Sequence, residues 1–364
     1  MIWILWIVGL FAVLWATARL FLAGQDLSRY DTPAPDPVNR AASAASQEVV
    51  RQVKEFAQAA GDAKGKARLD TMRRAMDAMG EGVDVAGLRI LPVTVAGRPA
   101  EWVVPEGSEP TGRLLYIHGG AFTMGSPLSH RPITTALARR AGLAVLALDY
   151  RLMPEHRRMD GIEDCRAAYR WLLENGPDGP GTADAVFVAG DSAGGNLTLS
   201  LIAWLRDRAG DAGLRQADGA MALSPLTDAT FASPSMRHNV ERDPMLGPMA
   251  RMINRFPRWL TLWSAWLQNR IRPNDPLVSP VRGDLANLPP VLVQASEAEI
   301  LIDDARRWVN KARHAGSPAE LETWHGMVHV WQAFGADLPE SEQAFDRLAD
   351  FVRRVRSSRD QAAA

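Results

Sequence analysis

The sequence predicts an α/β fold, with a mostly parallel sheet covered by helices on both faces. Three observations carry this. Eight short apolar runs recur between residues 88 and 323. From the third onward, most are separated by helical patterns such as "TTALARRAG" and "GIEDCRAAYRWLLENG". The runs are near-continuously apolar, as strands buried on both faces are. The chain has 364 residues, 47% hydrophobic and 23% charged, enough for one large domain or two smaller ones. A net charge of −1 gives no sign of a nucleic-acid partner.

The first element is apolar. "IWILWIVGLFAVLWATA" has no charged residue, and "LFLAG" follows Arg19. As a helix, residues 2–23 extend roughly 33 Å, enough to cross a bilayer core. Trp3, Trp6 and Trp15 suit interfacial positions, and Arg19 can snorkel to headgroups. A cleaved signal peptide is the rival, with "ATA" as its small-residue site, but a basic leader is missing and the run is long. The expectation is an uncleaved single-pass anchor over residues 1–24. Arg19, Arg29 and Arg40 follow the span with no basic residue before it, which puts the main domain on the cytoplasmic side.

Residues 25–39, with "DTPAPDPVN", read as a Pro-rich extended tether. Residues 40–84 hold two helical patterns. Val49, Val50, Val53, Phe56 and Ala57 share one face of the first, and Leu69, Met72, Met76 and Met79 share one face of the second. The Met stripe is read first as packing and second as lining for an adaptable apolar pocket. The eight runs are placed at 88–95, 100–104, 113–117, 143–148, 185–189, 219–224, 291–295 and 319–323. Cys165, the lone cysteine, lies in a helical pattern as a small core residue. A long insertion at about 226–286, with Leu260, Trp263, Trp266 and Leu267 in a stripe, suits a lid over a site. The main α/β domain is expected over 85–354, with 355–364 a disordered tail.

The chemistry begins at "VFVAGDSAGGN", residues 186–196, a strand followed by G-x-S-x-G. Its glycines permit a tight strand-to-helix turn that exposes Ser192. A second stretch, "LLYIHGGAFTMGS", sets His118, Gly119, Gly120 and Ala121 directly after the third strand. Small residues there let backbone amides approach a substrate carbonyl. Gly119, Gly120 and Ala121, together with Ala193, are the candidate oxyanion hole. A plain Gly-Gly turn is the bland alternative, and pairing with Ser192 some seventy residues later favours the functional one. A serine hydroxyl needs a base. Of seven histidines, His325 and His329 in "TWHGMVHVWQ" follow the last strand, and spacing alone does not separate them. The acid should follow the seventh strand, where "QASEAEILIDDARRW" offers Glu297, Glu299, Asp303 and Asp304. The helical phase from Leu301 turns Asp303 to solvent, and Asp303 and Asp304 suit a first helical turn. Glu297 and Glu299 lie on the loop.

"HGGA", "DYRLMPEH" (149–156) and "GDSAGG" together resemble the hormone-sensitive-lipase-like family of α/β-hydrolase esterases. The resemblance covers about residues 85–350. It implies an eight-stranded α/β-hydrolase sheet with a cap built from amino-terminal helices and a later insertion. It implies that His329, in G-x-x-H-x-aromatic, is the base, and that Glu299, aligned with the family's D-x-L-x-D-[DE], is the acid. Glu155 and His156 become structural residues that tie loops together. Ala121 stands for the usual third glycine, Met153 for the usual alanine, and Glu299 for the commoner aspartate. The expected function is a serine carboxylesterase for small to medium apolar esters, with lactones included, through a Ser192–His329–Glu299 triad. A membrane-associated lipase, deacetylase or amidase using the same triad, or a silent binding protein, are the alternatives. The expected partners are a small-molecule ester and a lipid bilayer met through residues 2–23. No zinc-binding H-E-x-x-H occurs and no nucleotide-binding glycine pattern follows a strand, so no cofactor or metal is expected.

Overall fold

A computed structural model describes residues 2–58, 61, 63–107, 112–208, 210, 211 and 213–363. Eight strands form one sheet: β1 (Leu88–Val95), β2 (Arg98–Pro105), β3 (Gly112–Ile117), β4 (Ala144–Leu148), β5 (Ala185–Asp191), β6 (Gly219–Leu223), β7 (Val291–Ser296) and β8 (Ala319–Trp324). Their order is β1-β2-β4-β3-β5-β6-β7-β8. β2 runs antiparallel to both neighbours, and every other pairing is parallel. All eight strands fall where the apolar runs placed them, with ends shifted by one or two residues.

The period-2 side-chain alternation sends each strand's residues to two separate cores. On one face, Leu114, Tyr116 and Phe187 pack with α4 (Arg131–Ala141) and α11 (Pro339–Ala363) through Ile133, Leu137, Phe345 and Phe351. On the other, Leu115, Ile117 and Val188 pack with α5 (Arg158–Glu174), α6 (Ala193–Asp207) and α10 (Ile302–His314). Cys165 lies in this second core, and burial pushes its thiol pKa up. The site is thereby set on a rigid, doubly covered platform at the carboxyl ends of the parallel strands.

An amino-terminal helix, α1 (Ile2–Thr17), continues through a π turn at Ala18–Leu22. The expected amino-terminal helices are α2 (Ala44–Gln58) and α3 (Gly65–Ala78). Val49 and Val53 of α2 are buried against Trp324, Met327 and Trp331. The side chains of Phe56 and Ala57 lie outside the described residues. No residue of α3 is buried, so its Met stripe is only half-covered. Polar ties hold α3 instead. Arg73 donates to the Thr123 carbonyl at 2.8 Å and pairs with Glu155 at 2.8 Å, which gives Glu155 its tying role. His156 is exposed. The insertion carries α7 (Ser235–His238), α8 (Gly247–Asn254) and α9 (Arg258–Asn269).

Two expectations need correction. The segment 25–39 is not a free tether. Leu27 and Tyr30 are buried in the main core, Arg307 pairs with Asp31 at 2.5 Å, and the Val38 amide donates to the Thr323 carbonyl at 2.7 Å. Its apolar residues, outweighed in composition by prolines, dock it. The tail is not disordered either. α11 continues to Ala363, with Val355 buried and Arg359 paired to Asp184 beyond it.

Candidate active site

Ser192 stands at the turn from β5 into α6, with φ 51° and ψ −113°. Such a backbone is costly for a non-glycine residue and persists only where its surroundings impose it. Its neighbours do so. A Cβ at Gly194 would meet the Ile117 carbonyl oxygen at 1.9 Å, so only glycine lets α6 start this close to β3. The Ser192 amide donates to the Leu223 carbonyl at 2.8 Å, and its carbonyl accepts from the Asn196 amide at 3.1 Å.

The loop after β8 brings His329 to the serine. His329 Nε2 lies 2.9 Å from Ser192 Oγ, and Nδ1 lies 2.6 Å from Glu299 Oε2. Glu299 is fully buried. Its second oxygen accepts from Ser224 Oγ at 2.8 Å and from the Ser296 amide at 2.7 Å, so no lone charge is left without partners. The acid loop is pinned further. Asn239 Nδ2 donates to the Glu299 carbonyl at 2.8 Å, the Ile300 amide donates to Asp243 at 3.0 Å, and Ser296 Oγ donates to the Met327 carbonyl at 2.7 Å. Ser224, Ser296, Asn239 and Asp243 carry no signal in the sequence. A lone serine or asparagine in a loop carries no signal until the fold shows what it touches.

Of the paired alternatives, His325 is exposed, and its amide is tied to Asn39. Glu297 pairs with Arg306 at 2.5 Å, away from the histidine. Asp303 also pairs with Arg306, at 3.0 Å, and is half-buried rather than solvent-facing. Asp304 departs most from expectation. It is buried, and it accepts from the Thr227 and Asp228 amides at 2.7 and 2.8 Å and from Ser233. The insertion folds over the helix start, which helical phase alone does not reveal.

The electrostatics raise the basicity of His329. Burial lowers the His329 pKa, but the Glu299 carboxylate, its hydrogen bond and Asp243 outweigh burial and hold it above the ordinary value. Behind the glycine loop, Asp191 accepts from Tyr116 Oη at 2.6 Å and the Gly119 amide at 3.0 Å, with His130 Nε2 at 3.4 Å. Burial raises the Asp191 pKa, yet His130 and the Tyr116 hydrogen bond bring it below the usual range. Burial pushes His118 down to about 3, so it stacks on Tyr150 as a neutral ring. This arrangement corrects one oxyanion candidate. The Gly119 amide already serves Asp191, so it is not free for a substrate. Among the described residues, Gly120, Ala121 and Ala193 donate no backbone hydrogen bond outside regular elements. Gly120 and Ala121 have φ 104° and 54°. A solvent-open cavity of about 610 Å³ borders the glycine loop at Thr123, between Met153–Arg157 and the end of α9 at Gln268–Arg270.

Comparison with known proteins agrees with this architecture. A family model described as alpha/beta hydrolase fold matches residues 114–333. An acetyl-hydrolase of Streptomyces hygroscopicus is 40% identical over 265 residues, spanning 72% of this chain and 81% of the relative. An esterase of Acinetobacter venetianus is 34% identical over 265 residues, spanning 73% and 82%. The crystal structure of an esterase from the bacterial hormone-sensitive lipase family superposes with a TM-score of 0.73 at 34% identity, covering 86% of this chain and 99% of that one. The chain belongs to the hormone-sensitive-lipase-like family of α/β-hydrolases. It is a carboxylic ester hydrolase.

Proposed function

We propose that the chain hydrolyses small to medium apolar esters through an acyl-enzyme on Ser192. The relay Glu299–His329–Ser192, with contacts of 2.6 and 2.9 Å, is the observation that carries this reading. His329 takes the Ser192 proton as Oγ attacks the ester carbonyl. Glu299 holds the tautomer with Nδ1 protonated and stabilises the imidazolium that forms. The amides of Gly120, Ala121 and Ala193 receive the oxyanion. His329 then returns its proton to the leaving alkoxide, and water repeats the sequence to release the acid. The domain is held at a membrane by its amino-terminal helix, a reading supported by the apolar stretch Trp3–Leu22.

Hydrolysis of p-nitrophenyl acetate, butyrate, octanoate and palmitate by the detergent-solubilised full chain tests this reading. Turnover is expected to be highest at short to medium length and to vanish in Ser192→Ala. Absence of turnover at every length by folded protein would contradict it. A preference for emulsified palmitate over soluble butyrate would instead favour a lipase.

A further inference from the structure

The amino-terminal helix does not stand clear of the cap. Phe11 packs edge-on against Trp259, with ring centroids 5.9 Å apart. The Trp263 indole N–H donates to the Leu14 carbonyl at 3.0 Å. Ala18 and Leu22 are buried with Leu262, beside Trp259, Trp263 and Trp266. From Phe11–Trp259 to Leu14–Trp263 both segments advance together, so α9 runs parallel to residues 11–22. Elsewhere on α8, α9 and the turn between them, Met252, Phe256, Leu260 and Leu267 are exposed. Residues 244–274 hold five arginines and no carboxylate, in a chain of net charge −1. Arg251 is paired with Glu241, whereas Arg255, Arg270 and Arg272 are exposed. Apolar side chains interleaved with cations suit the headgroup region of an anionic leaflet.

We propose that α8 and α9 sit in the headgroup region of an anionic leaflet beside the amino-terminal helix, so that the cap is itself a membrane contact. This rests on the membrane attachment proposed above. The start of α9 sets the depth. Trp259 there meets Phe11, and Arg255, just before the helix, is exposed, whereas Arg258 donates to Thr230 Oγ1 of the hydrolase domain at 3.2 Å. A docked helix crossing both leaflets would draw Arg255 toward the bilayer centre, where a charge is strongly disfavoured. With Arg255 at headgroup level, residues 2–10 lie beyond the Phe11 contact, about 14 Å of helix, against a hydrocarbon core of about 30 Å. While docked on α9, the helix therefore enters one leaflet and does not cross.

The test uses the full chain in vesicles of phosphatidylcholine and phosphatidylglycerol. Phe256→Cys, Leu260→Cys and Trp3→Cys are labelled singly with an environment-sensitive fluorophore, and Thr94→Cys on the exposed edge strand is the solvent reference. Cys165 is buried, so labelling is confined to the introduced thiol. Labels at 256 and 260 are expected to shift to the blue and lose most emission to lipids spin-labelled near the headgroup. The label at 3 should be quenched best by spin labels at the acyl chain end, and the label at 94 only by aqueous iodide. Labels at 256 and 260 that behave like the one at 94, while the chain floats with vesicles, would overturn the proposal. Strongest quenching of the label at 3 by headgroup spin labels would do the same. A chain that does not float would defeat membrane attachment and this proposal together. p-Nitrophenyl butyrate turnover, read on the same samples, reports the esterase reading separately.

Discussion

At the scale of single residues, the site turns on which carboxylate faces His329. Four carboxylates within eight positions present similar credentials in sequence, and helical phase and strand ends narrow them only to two. The family pattern selects Glu299, and the relay in the fold reaches that residue. Helical phase says less about its neighbours. Asp304 is buried because Thr227 and Ser233, more than seventy residues earlier, close over it. No local pattern encodes so distant a partner. Ser224, whose hydroxyl holds Glu299 from a distant loop, is hidden for the same reason, whereas Ser296 holds it through a backbone amide, which no residue type signals. The charge of Glu299 has a pH signature. It opposes the burial that lowers the His329 pKa, and its removal leaves only Asp243 and Asp191 to oppose burial. The base must be neutral to act, so activity falls as pH drops through that pKa. In Glu299→Gln the acid limb of kcat/KM is expected to move to lower pH. The plateau should fall on the order of 10²–10⁴-fold. An unmoved limb in a pH–rate profile would show that Glu299 does not act on His329.

At the scale of elements, α10 joins the acid loop to the cap. Asp304 in its first turn meets the insertion, and Arg307 one turn later meets the amino-terminal segment. Burial, with the nearby Asp228 charge adding to it, lifts the Asp304 pKa to about 7. A carboxyl raised in the folded state favours folding while protonated. Its contribution is complete below the unfolded value of 3.8 and is lost as pH rises through about 7. Asp304→Asn keeps an acceptor toward the two amides and removes the ionisation. Between pH 6 and 8.5 the melting temperature of wild type is expected to fall more than that of Asp304→Asn. Equal falls in calorimetry at the two pH values would remove Asp304 as the source. Strands were legible because continuous apolar runs bounded by turns leave little choice. The Met stripe of α3 read correctly as helix but not as core, because polar ties through Arg73 position that helix.

At the scale of the molecule, the sheet separates two cores and carries the serine, acid and histidine on three loops at one end. Chain order alone made this legible, because the serine motif, the acid loop and the histidine loop each follow a strand. What stayed hidden was the docking of segments that look free in sequence. Leu27 and Tyr30 are two apolar residues among polar and proline neighbours, too few to form a periodic signal, yet both are buried. The proposed relay of Ser192, His329 and Glu299 is best tested by kcat/KM for p-nitrophenyl butyrate in wild type, Ser192→Ala, Glu299→Gln and Glu297→Gln, with folding checked by circular dichroism. Background rates are expected in Ser192→Ala, a large loss in Glu299→Gln and near wild-type activity in Glu297→Gln. Retained activity in Ser192→Ala, or a loss in Glu297→Gln with Glu299→Gln spared, would contradict it.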